Sequence, residues 1–270
     1  MIRLGKLRRL NMVKIGYKRE EAMSQRLVLL HGWGLNRAVW DTITPLLSPH
    51  FAVDAVNIPG FGGAPWHPDY STIEAVADKL AADIAQSHSE PVVLLGWSLG
   101  GLLGTLIARR HPHLVRRLHT IASSPCFVAQ PDSGWPGIDK SILSAFQTQL
   151  SGDFEATLKR FMAVQAMGSP SARADMKILQ ASVLAQPPAD LRALAAGLAW
   201  LAKTDLRDTL ARLPMPLYRA YGRLDTLVPV AVAEQILPGT SKVFEHSAHA
   251  PFLNQPGEFC AWLKEGLSEV

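Results

Sequence analysis

Apolar residues cluster in short runs that predict buried β-strands along the first half of the chain. RLVLLHGWG (26–34) and PVVLLGWS (91–98) are apolar almost throughout, as strands buried on both faces of a parallel sheet are. A further strand is predicted in FAVDAVNIPGFGGAP (51–65), where apolar and polar residues alternate before a Pro/Gly loop. The fourth is predicted in VRRLHTIASSP (115–125). We therefore predict four strands, and the first and third run directly into glycine-containing turns.

Between these runs the apolar residues recur at helical spacing. In STIEAVADKLAADIAQS (71–87) Ser71 and Thr72 are both candidate N-caps, and Glu74 is placed as the partner of Ser71 in a capping box. LGGLLGTLIARRHP (99–112) predicts a second helix, which should end before its closing proline. Strands that alternate with helices in this way indicate a parallel sheet with helices on both faces.

The alternation stops at about residue 126, where a purely helical stretch begins. Residues 126–212 contain four amphipathic segments and no convincing strand, which predicts a helical lid inserted into the fold. The earlier pattern then resumes, with strands expected over 215–225 and 241–246 and helices over 229–237 and 256–267. The predicted organisation is an α/β fold, a mostly parallel sheet flanked by helices, in three parts: a core over 26–125 and 213–270, the lid over 126–212, and a basic extension or first strands over 1–25.

The excess positive charge is concentrated at the amino end of the chain. There are 27 Lys and Arg against 23 Asp and Glu, a formal net charge of +4, and residues 1–11 hold four basic residues and no acid. Since the remainder is formally neutral, the pI of about 9.2 gives no reason to expect a nucleic-acid or membrane partner. No apolar run approaches the roughly 18 residues needed to span a bilayer.

The positions of the cysteines, and the absence of metal-binding and nucleotide-binding motifs, limit the chemistry that we expect of this protein. Cys126 and Cys260 lie far apart, and the amino-terminal segment lacks the apolar core of a secretory signal, so we expect reduced thiols and a cytoplasmic protein. The sequence has no HExxH, no CxxC pair and no GxGxxG after the first strand, so we expect no metal and no cofactor. At 270 residues and 48% hydrophobic content, a monomer can bury a large core.

The pentapeptide Gly96-Trp97-Ser98-Leu99-Gly100 makes Ser98 a candidate nucleophile. A G-x-S-x-G motif occurs by chance in about one chain of this size in ten, and a simple glycine-rich turn is the alternative interpretation. Ser98 lies between a predicted strand and a predicted helix, and the two glycines leave room for a strained turn. A serine hydroxyl also needs a base, a third group that holds the base, and donors for the developing oxyanion.

Asp225 is the candidate for the group that holds the base. It ends the predicted strand PLYRAYGRLD, and a carboxylate at the carboxyl end of a parallel strand faces the active edge of such a sheet. Asp205 and Asp208 precede that strand, where helix capping or solvation explains them. Asp54 lies inside a strand and on the wrong side of Ser98 for the chain order Ser, Asp, His.

His249, in a loop between the last predicted strand and the last helix, is the candidate base. Its rival His246 is the last residue of the strand pattern, where a half-buried structural histidine is the ordinary interpretation. For the oxyanion hole we expect one amide from Leu99, which follows the nucleophile, and the second from Trp33 in the loop HGWG. His31 in that loop is interpreted as a residue that shapes the loop.

Eight stretches support a resemblance that covers residues 26–267. They are LVLLHGWGLN, LGWSLGGL, ASSPCF, WPGI, FQTQLSGDF, RFMAVQAMG, YGRLDTLVP and AHAPFLNQPGEFC. The chain resembles the α/β-hydrolases, and within them the pimeloyl-[acyl-carrier protein] methyl ester esterases of biotin synthesis, the BioH family. The resemblance implies an α/β-hydrolase fold and a serine carboxylesterase that hydrolyses the methyl ester of a carrier-bound pimeloyl chain, releasing methanol.

The resemblance also implies which residues contact the substrate. The family positions that bind the acyl chain and the ester correspond here to nine residues: Trp33, Ser98, Leu99, Phe161, Met162, Ala163, Val164, Gln165 and His249. For the apolar residues of the segment 161–165, packing in a helical core is the alternative interpretation.

A basic rim on the lid fits an acyl carrier protein, because such proteins are acidic. The window 156–180 has a local charge of +3 from five residues: Lys159, Arg160, Arg173, Lys177 and Asp175. We expect Arg160, Arg173 and Lys177 to dock the carrier, and a solvated helix face is the alternative. The chain departs from the family at Ala156, where other members have a further arginine. The competing functional hypothesis is a broad-specificity short-chain carboxylesterase without a carrier partner.

Overall fold

The computed structural model describes residues 25–236 and 238–265, and in these residues it contains one six-stranded parallel sheet. The strands are β1 (Gln25–Leu30), β2 (Phe51–Val56), β3 (Val92–Trp97), β4 (Val115–Ile121), β5 (Leu217–Gly222) and β6 (Thr240–Phe244). Their order across the sheet is β2-β1-β3-β4-β5-β6. The prediction for residues 1–25 lies outside the described residues, apart from Gln25.

The direction of chain travel across the sheet reverses at β1. Strand β2 pairs with one side of β1, and β3 pairs with the other side, where Leu30 is in register with Gly96. The loops that follow β1 and β3 therefore leave the same edge of the sheet side by side. In open parallel sheets a ligand crevice forms at such a reversal, outside the carboxyl ends of the strands.

Eleven α-helical segments lie in the described ranges. They are α1 (Thr44–Leu47), α2 (Ile73–Ser87), α3 (Leu99–Arg110), α4 (Lys140–Leu150), α5 (Phe154–Ala166), α6 (Ala172–Leu184), α7 (Leu191–Lys203), α8 (Arg207–Leu210), α9 (Val232–Gln235), α10 (Pro251–Asn254) and α11 (Pro256–Glu265). Five of them, α4 to α8, lie between β4 and β5, in the stretch 126–212 that we call the helical insertion. None of the helices in the described ranges is long and apolar enough to cross a membrane.

Alternate residues of the central strands pack against different sets of helices. On β1, Val28 and Leu30 belong to the core formed with α2, α3 and much of the helical insertion, whereas Leu27 and Leu29 belong to the core beneath α11. This division follows from the period-two geometry of a strand. Because both faces are covered, all four side chains are fully buried, which explains the continuous apolar pattern.

The helix boundaries near α2 and α3 refine the sequence analysis. The hydroxyl of Thr72 accepts the N–H of Ala75 at 3.2 Å and caps α2, so the capping box built on Ser71 and Glu74 is wrong. Ser71 instead closes a 3-10 turn that precedes the helix. Helix α3 ends at Arg110, before the proline, as predicted.

The last two strands are shorter at their carboxyl ends than the sequence pattern suggests. Strand β5 ends at Gly222 and β6 at Phe244, so Asp225 and His246 both lie in loops beyond their strands. His246 is exposed, and the prediction of a half-buried strand histidine is wrong there. The helix expected over 229–237 is reduced to Val232–Gln235.

Hydrogen bonds between residues far apart in the sequence connect the helical insertion to the loop after β1. The indole N–H of Trp33 donates to the Leu194 carbonyl at 2.9 Å, and the side-chain amide of Asn36 donates to the Ser182 carbonyl at 2.8 Å. Both donors lie in or just after the loop that follows β1. The helical insertion therefore lies over the carboxyl edge of the sheet, where β1 and β3 end.

Candidate active site

Ser98 occupies a strained turn between β3 and α3. Its φ of 55° and ψ of −118° fall outside the regions that non-glycine residues ordinarily adopt, at a cost of about 1–3 kcal/mol. The backbone is held there by hydrogen bonds. The N–H of Ser98 donates to the Ile121 carbonyl at 2.9 Å, and the Ser98 carbonyl accepts the hydroxyl of Ser123 at 2.8 Å. This is the geometry of a nucleophile elbow.

The two glycines of the motif allow the elbow because the backbones approach closely. A Cβ on Gly96 would collide with the carbonyl of Gly100, and a Cβ on Gly100 would collide with the carbonyl of Leu30. The first turn of α3 is thereby seated directly against β1 and β3. The sequence pattern G-x-S-x-G is thus required by contact distances as well as by the turn itself.

Asp225 and His249 form a buried pair. The Nδ1–H of His249 donates to Oδ2 of Asp225 at 2.8 Å, and the two side chains are 0% and 1% exposed. The other carboxylate oxygen of Asp225 accepts the backbone N–H groups of Leu227 at 2.8 Å and Val228 at 3.1 Å. These bonds fix the carboxylate, and the carboxylate fixes the tautomer of the imidazole.

The free nitrogen of His249 is available for chemistry. Its Nε2 is buried and has no hydrogen-bond partner in the described part of the chain. The backbone of the same residue is held twice, since its N–H donates to the Gln165 carbonyl at 3.2 Å and its carbonyl accepts the indole N–H of Trp97 at 2.7 Å. An imidazole held in this way can accept a proton at Nε2.

The alternative acids and the alternative histidine lie elsewhere. Asp205 is paired with Arg207 at 2.7 Å, and the hydrogen bonds from that guanidinium lower the pKa of the carboxyl. A carboxylate oxygen of Asp54 lies 3.0 Å from Nε2 of His88, the residue that follows α2. Asp208 and His246 are exposed. Among the candidates weighed from the sequence, only Asp225 forms a hydrogen bond with His249.

Two backbone amides at the elbow donate no hydrogen bond within the described residues. They belong to Trp33, in the loop after β1, and to Leu99, the first residue of α3. The pairing of Leu30 with Gly96 brings these segments to the same edge of the sheet. Unpaired N–H groups at a helix start and an adjacent loop can stabilise a developing oxyanion.

His31 shapes the loop after β1. Its Nδ1 donates to the Gly32 carbonyl at 2.8 Å, and its Nε2 accepts the N–H of Ile58 at 3.0 Å. Burial lowers the pKa of this imidazole to about 4, so it is neutral near pH 7. Both ring nitrogens are occupied by backbone groups, which fits a structural role in this loop.

A small apolar cavity of about 10 Å³ lies beside Ser98. Its walls are formed by Ser98, Phe127, Ile138, Leu143, Phe161, Leu201 and Leu227. Most of these residues belong to the helical insertion, and Ser98 is only 1% exposed. A cavity needs about 10–15 Å³ in this measure to hold one water molecule, so an ester does not fit beside Ser98 in this closed arrangement.

A larger groove of about 690 Å³ is lined by a neighbouring face of α5. It runs from Gly34 and Leu35 in the loop after β1, along Leu158 and Met162, to the segment 183–189. Most of its lining is apolar. Helix α5 therefore contributes side chains both to this groove and to the cavity at Ser98.

The predicted segment 161–165 divides between the site and the surface. Phe161 lines the cavity with Ser98 and lies edge-on to the Trp33 ring at 4.7 Å, and Met162 lines the groove. Val164 is half-buried. Gln165 is 1% exposed, and neither of its amide atoms has a hydrogen-bond partner among the described residues.

Ala163 is the exception within this segment, because its side chain is exposed. Position 163 lies about 200° around the helix from position 161, so it faces away from the cavity. The structure therefore does not bring Ala163 to the site, contrary to the expectation from the resemblance.

The three candidate docking residues are exposed cations without a carboxylate partner in the described ranges. Arg160 donates to the side chain of Gln149 at 3.1 Å, and Arg173 and Lys177 lie on α6. The nearby Asp175 is buried and accepts hydrogen bonds from two serine hydroxyls, so it does not pair with them. The positive charge of this rim is therefore free to attract an anionic partner.

Comparison with known proteins places the chain in a class and then in a family. Residues 25–256 match the family model described as alpha/beta hydrolase fold, so the chain belongs to the α/β hydrolases. A relative from Vibrio vulnificus (strain YJ016), named pimeloyl-[acyl-carrier protein] methyl ester esterase, is 47% identical over 238 residues, which are 87% of this chain and 91% of the relative. A relative of the same name from Aliivibrio fischeri (strain MJ11) is 43% identical and covers 94% of this chain and 97% of its own. The chain belongs to the family of pimeloyl-[acyl-carrier protein] methyl ester esterases, which confirms the resemblance.

Solved structures agree on the fold. An esterase from Exiguobacterium antarcticum superposes with a TM-score of 0.78 at 22% identity, covering 91% of this chain and 92% of that one. A bromoperoxidase from Bacillus anthracis superposes with the same TM-score at 18% identity and the same coverage. At these identities the likeness confirms the predicted α/β-hydrolase fold alone.

Proposed function

We propose that this chain hydrolyses the methyl ester of pimeloyl-[acyl-carrier protein] to pimeloyl-[acyl-carrier protein] and methanol, in the cytoplasm, as a step of biotin biosynthesis. Two observations support catalysis best: the buried pair of Asp225 and His249 leaves the imidazole Nε2 without a partner among the described residues, and Ser98 adopts the elbow conformation. The substrate is inferred from the relatives, whose printed name states it.

The reaction begins with attack of Ser98 Oγ on the ester carbonyl. Nε2 of His249 accepts the hydroxyl proton as the bond forms, and Asp225 stabilises the resulting imidazolium through Nδ1. The carbonyl oxygen becomes an oxyanion, which the amides of Trp33 and Leu99 stabilise. When the tetrahedral intermediate collapses, methoxide leaves with the proton from His249 as methanol, and the pimeloyl chain stays on Ser98 as an ester.

Water completes the cycle. His249 Nε2 takes a proton from a water molecule, and the hydroxide attacks the acyl-Ser98 carbonyl. The second oxyanion collapses, Ser98 recovers its proton from His249, and the product leaves as the carboxylic acid, which ionises to the carboxylate by losing its proton to solvent. Both half-reactions use the same base and the same two amides, so no further group has to be supplied.

The helical insertion acts as a lid in this proposal. Ser98 and His249 are buried and the cavity beside them is too small for an ester, so the substrate reaches the nucleophile only when the insertion moves. The acyl chain then contacts Phe161, Met162, Val164 and Gln165 on α5. Burial of methylene groups against these residues contributes about 0.8 kcal/mol for each CH₂.

Arg160, Arg173 and Lys177 dock the acidic carrier protein. All three are exposed, and none forms an ion pair with a carboxylate within the described residues. A basic rim of this kind accelerates association with an acidic partner, and the effect weakens as salt is added. Because Ala156 stands where the family has a further arginine, fewer cations share the docking in this chain.

The proposal is tested by comparing carrier-bound and free esters. Arg160→Glu should lower kcat/KM for pimeloyl-carrier-protein methyl ester by roughly tenfold or more and leave dimethyl pimelate hydrolysis within about twofold. Arg116→Glu is the matched control. It reverses an exposed cation at the amino end of β4, the opposite end of the sheet from Ser98, and should change neither rate.

The outcome also decides between the proposal and its alternative. If the unmodified enzyme cleaves the carrier-bound ester no faster than dimethyl pimelate, the chain is a broad-specificity carboxylesterase without a carrier partner. If Arg160→Glu slows both substrates equally, the basic rim is not a docking site.

A further inference from the structure

Trp97 makes a hydrogen bond that connects the nucleophile strand to the base. Its indole N–H donates to the backbone carbonyl of His249 at 2.7 Å, although the two residues are 152 positions apart in sequence. Both side chains are 0% exposed. Since Trp97 is the last residue of β3 and immediately precedes Ser98, the bond fixes the histidine loop relative to the elbow itself.

The Trp97 ring also supports the residues that follow His249. It lies edge-on to Phe252 at 5.0 Å and 5.7 Å from the His249 ring, and Trp40 closes the cluster at 6.2 Å from Trp97. Aromatic pairs at these separations contribute beyond their buried area. The start of α10 is thus packed against the same side chain that binds the histidine carbonyl.

The backbone of His249 makes two hydrogen bonds, and their partners lie in different parts of the fold. The bond from its N–H goes to Gln165 on α5, which belongs to the helical insertion. The bond to its carbonyl comes from Trp97, which belongs to the central sheet. Opening of the insertion as in the proposed function would break the bond to Gln165 if α5 moves with it, whereas the bond from Trp97 involves no residue of the insertion.

We propose that Trp97 is a positioning residue whose indole N–H holds the His249 carbonyl, and so keeps Nε2 in line with Ser98 Oγ while the helical insertion is open. This inference rests on the proposed roles of Ser98 and His249. It assigns a function to the variable position of the G-x-S-x-G motif, which the sequence alone leaves without one.

Trp40 supplies a matched control for the hydrogen bond. It is also fully buried in this cluster, but its indole N–H has no partner in the described part of the chain. Trp40→Phe and Trp97→Phe therefore remove the same atoms from the same core, and only the second removes a hydrogen bond to the histidine loop.

The test compares the two variants on p-nitrophenyl acetate and in labelling of Ser98 by a fluorophosphonate. Trp97→Phe should lower kcat and the labelling rate roughly 10- to 100-fold with KM within about twofold, because a displaced base affects proton transfer rather than binding. Trp40→Phe should stay within about threefold in each measurement. Equal losses in the two variants, or an unchanged kcat in Trp97→Phe, would overturn the proposal.

A second form of residue 97 covers the case in which Trp97→Phe does not fold. Benzothienylalanine at position 97 has sulfur in place of the indole N–H and nearly the shape of tryptophan, and the same analogue at position 40 is its control. The proton on His249 Nδ1 provides a spectroscopic readout. Its low-field NMR signal should shift or broaden with the analogue at position 97 and not at position 40, and an identical spectrum for both would refute the positioning role.

The readouts separate this inference from the proposed function. Both use small reagents, so neither depends on recognition of a carrier protein. If the unmodified enzyme is not labelled at Ser98, the proposed catalytic roles fail. If it is labelled and Trp97→Phe is labelled equally fast, the positioning role alone fails.

Discussion

The backbone N–H of His249 donates a hydrogen bond to the carbonyl of Gln165, at 3.2 Å. Gln165 lies on α5, one turn after Phe161, which closes the cavity at Ser98. The helix that shuts the site is therefore also bonded to the residue proposed as the base. Movement of α5 away from Ser98 changes access and the restraint on His249 together.

Phe161→Ala should open the site and weaken the fold. The ring is buried against Trp33 at 4.7 Å and forms one wall of the cavity beside Ser98. Its removal should lower the free energy of unfolding by about 3–5 kcal/mol and enlarge the space next to the nucleophile. We expect a fluorophosphonate to label Ser98 several-fold faster, measured alongside denaturant unfolding.

Phe146→Ala is the control for that experiment. Phe146 packs against Phe161 at 5.2 Å but does not line the cavity. It should lose similar stability without faster labelling. A matching acceleration in Phe146→Ala would show that general loosening, and not the cavity wall, limits access.

Asp225→Asn should preserve the fold and remove most of the activity. The amide replaces the carboxylate that fixes the tautomer of His249 and stabilises its cationic form. We expect kcat for a p-nitrophenyl ester to fall roughly 10³- to 10⁴-fold with an unchanged circular dichroism spectrum. A loss of less than about tenfold would contradict the role assigned to this carboxylate.

Acid should destabilise the protein through two buried neutral histidines. Burial lowers the pKa of His119 to about 3, assisted by the positive charge of Arg117, and burial lowers the pKa of His31 to about 4. The unfolded chain binds these protons below about pH 6.5 and the folded chain does not, so stability falls as the pH drops. Each group should cost about 2 kcal/mol between pH 7 and pH 5.

His119→Phe isolates one of these contributions. The ring is stacked on Tyr218 at 4.8 Å and neither of its nitrogens has a hydrogen-bond partner among the described residues, so a phenyl ring can replace it. The loss of unfolding free energy between pH 7 and pH 5 should shrink by about 2 kcal/mol. If the unfolding free energy of His119→Phe changes with pH as that of the unmodified protein does, His119 is protonated in the folded protein.

The parts of the fold that the sequence predicted are those set by local periodicity and by chain order. Buried runs such as 91–98 predict strands because both faces are covered, and the order Ser98, Asp225, His249 singles out the pair that the structure finds hydrogen-bonded. The ends of strands are not fixed by local pattern, because the residue pattern does not show where the ladder of hydrogen bonds stops. The stretch SKVFEH predicts a strand as far as His246, whereas β6 ends at Phe244.

Contacts that depend on tertiary packing could not be predicted. The exposure of Ala163 depends on which face of α5 meets the sheet, and the segment 161–165 does not reveal that face. The hydrogen bond from Trp97 to His249 joins positions 152 residues apart, and its only trace in the sequence is an indole next to the nucleophile. The closed cavity also results from the way in which the helical insertion packs on the sheet. The spacing of apolar residues predicts the helices of the insertion but not this packing.

Methanol release from pimeloyl-[acyl-carrier protein] methyl ester, measured for the unmodified enzyme and for Ser98→Ala, tests the central claim most directly. We expect repeated turnover by the unmodified enzyme and none detectable by a folded Ser98→Ala variant. Methanol release that survives in Ser98→Ala, or an unmodified enzyme that leaves the carrier-bound ester intact, would contradict the account.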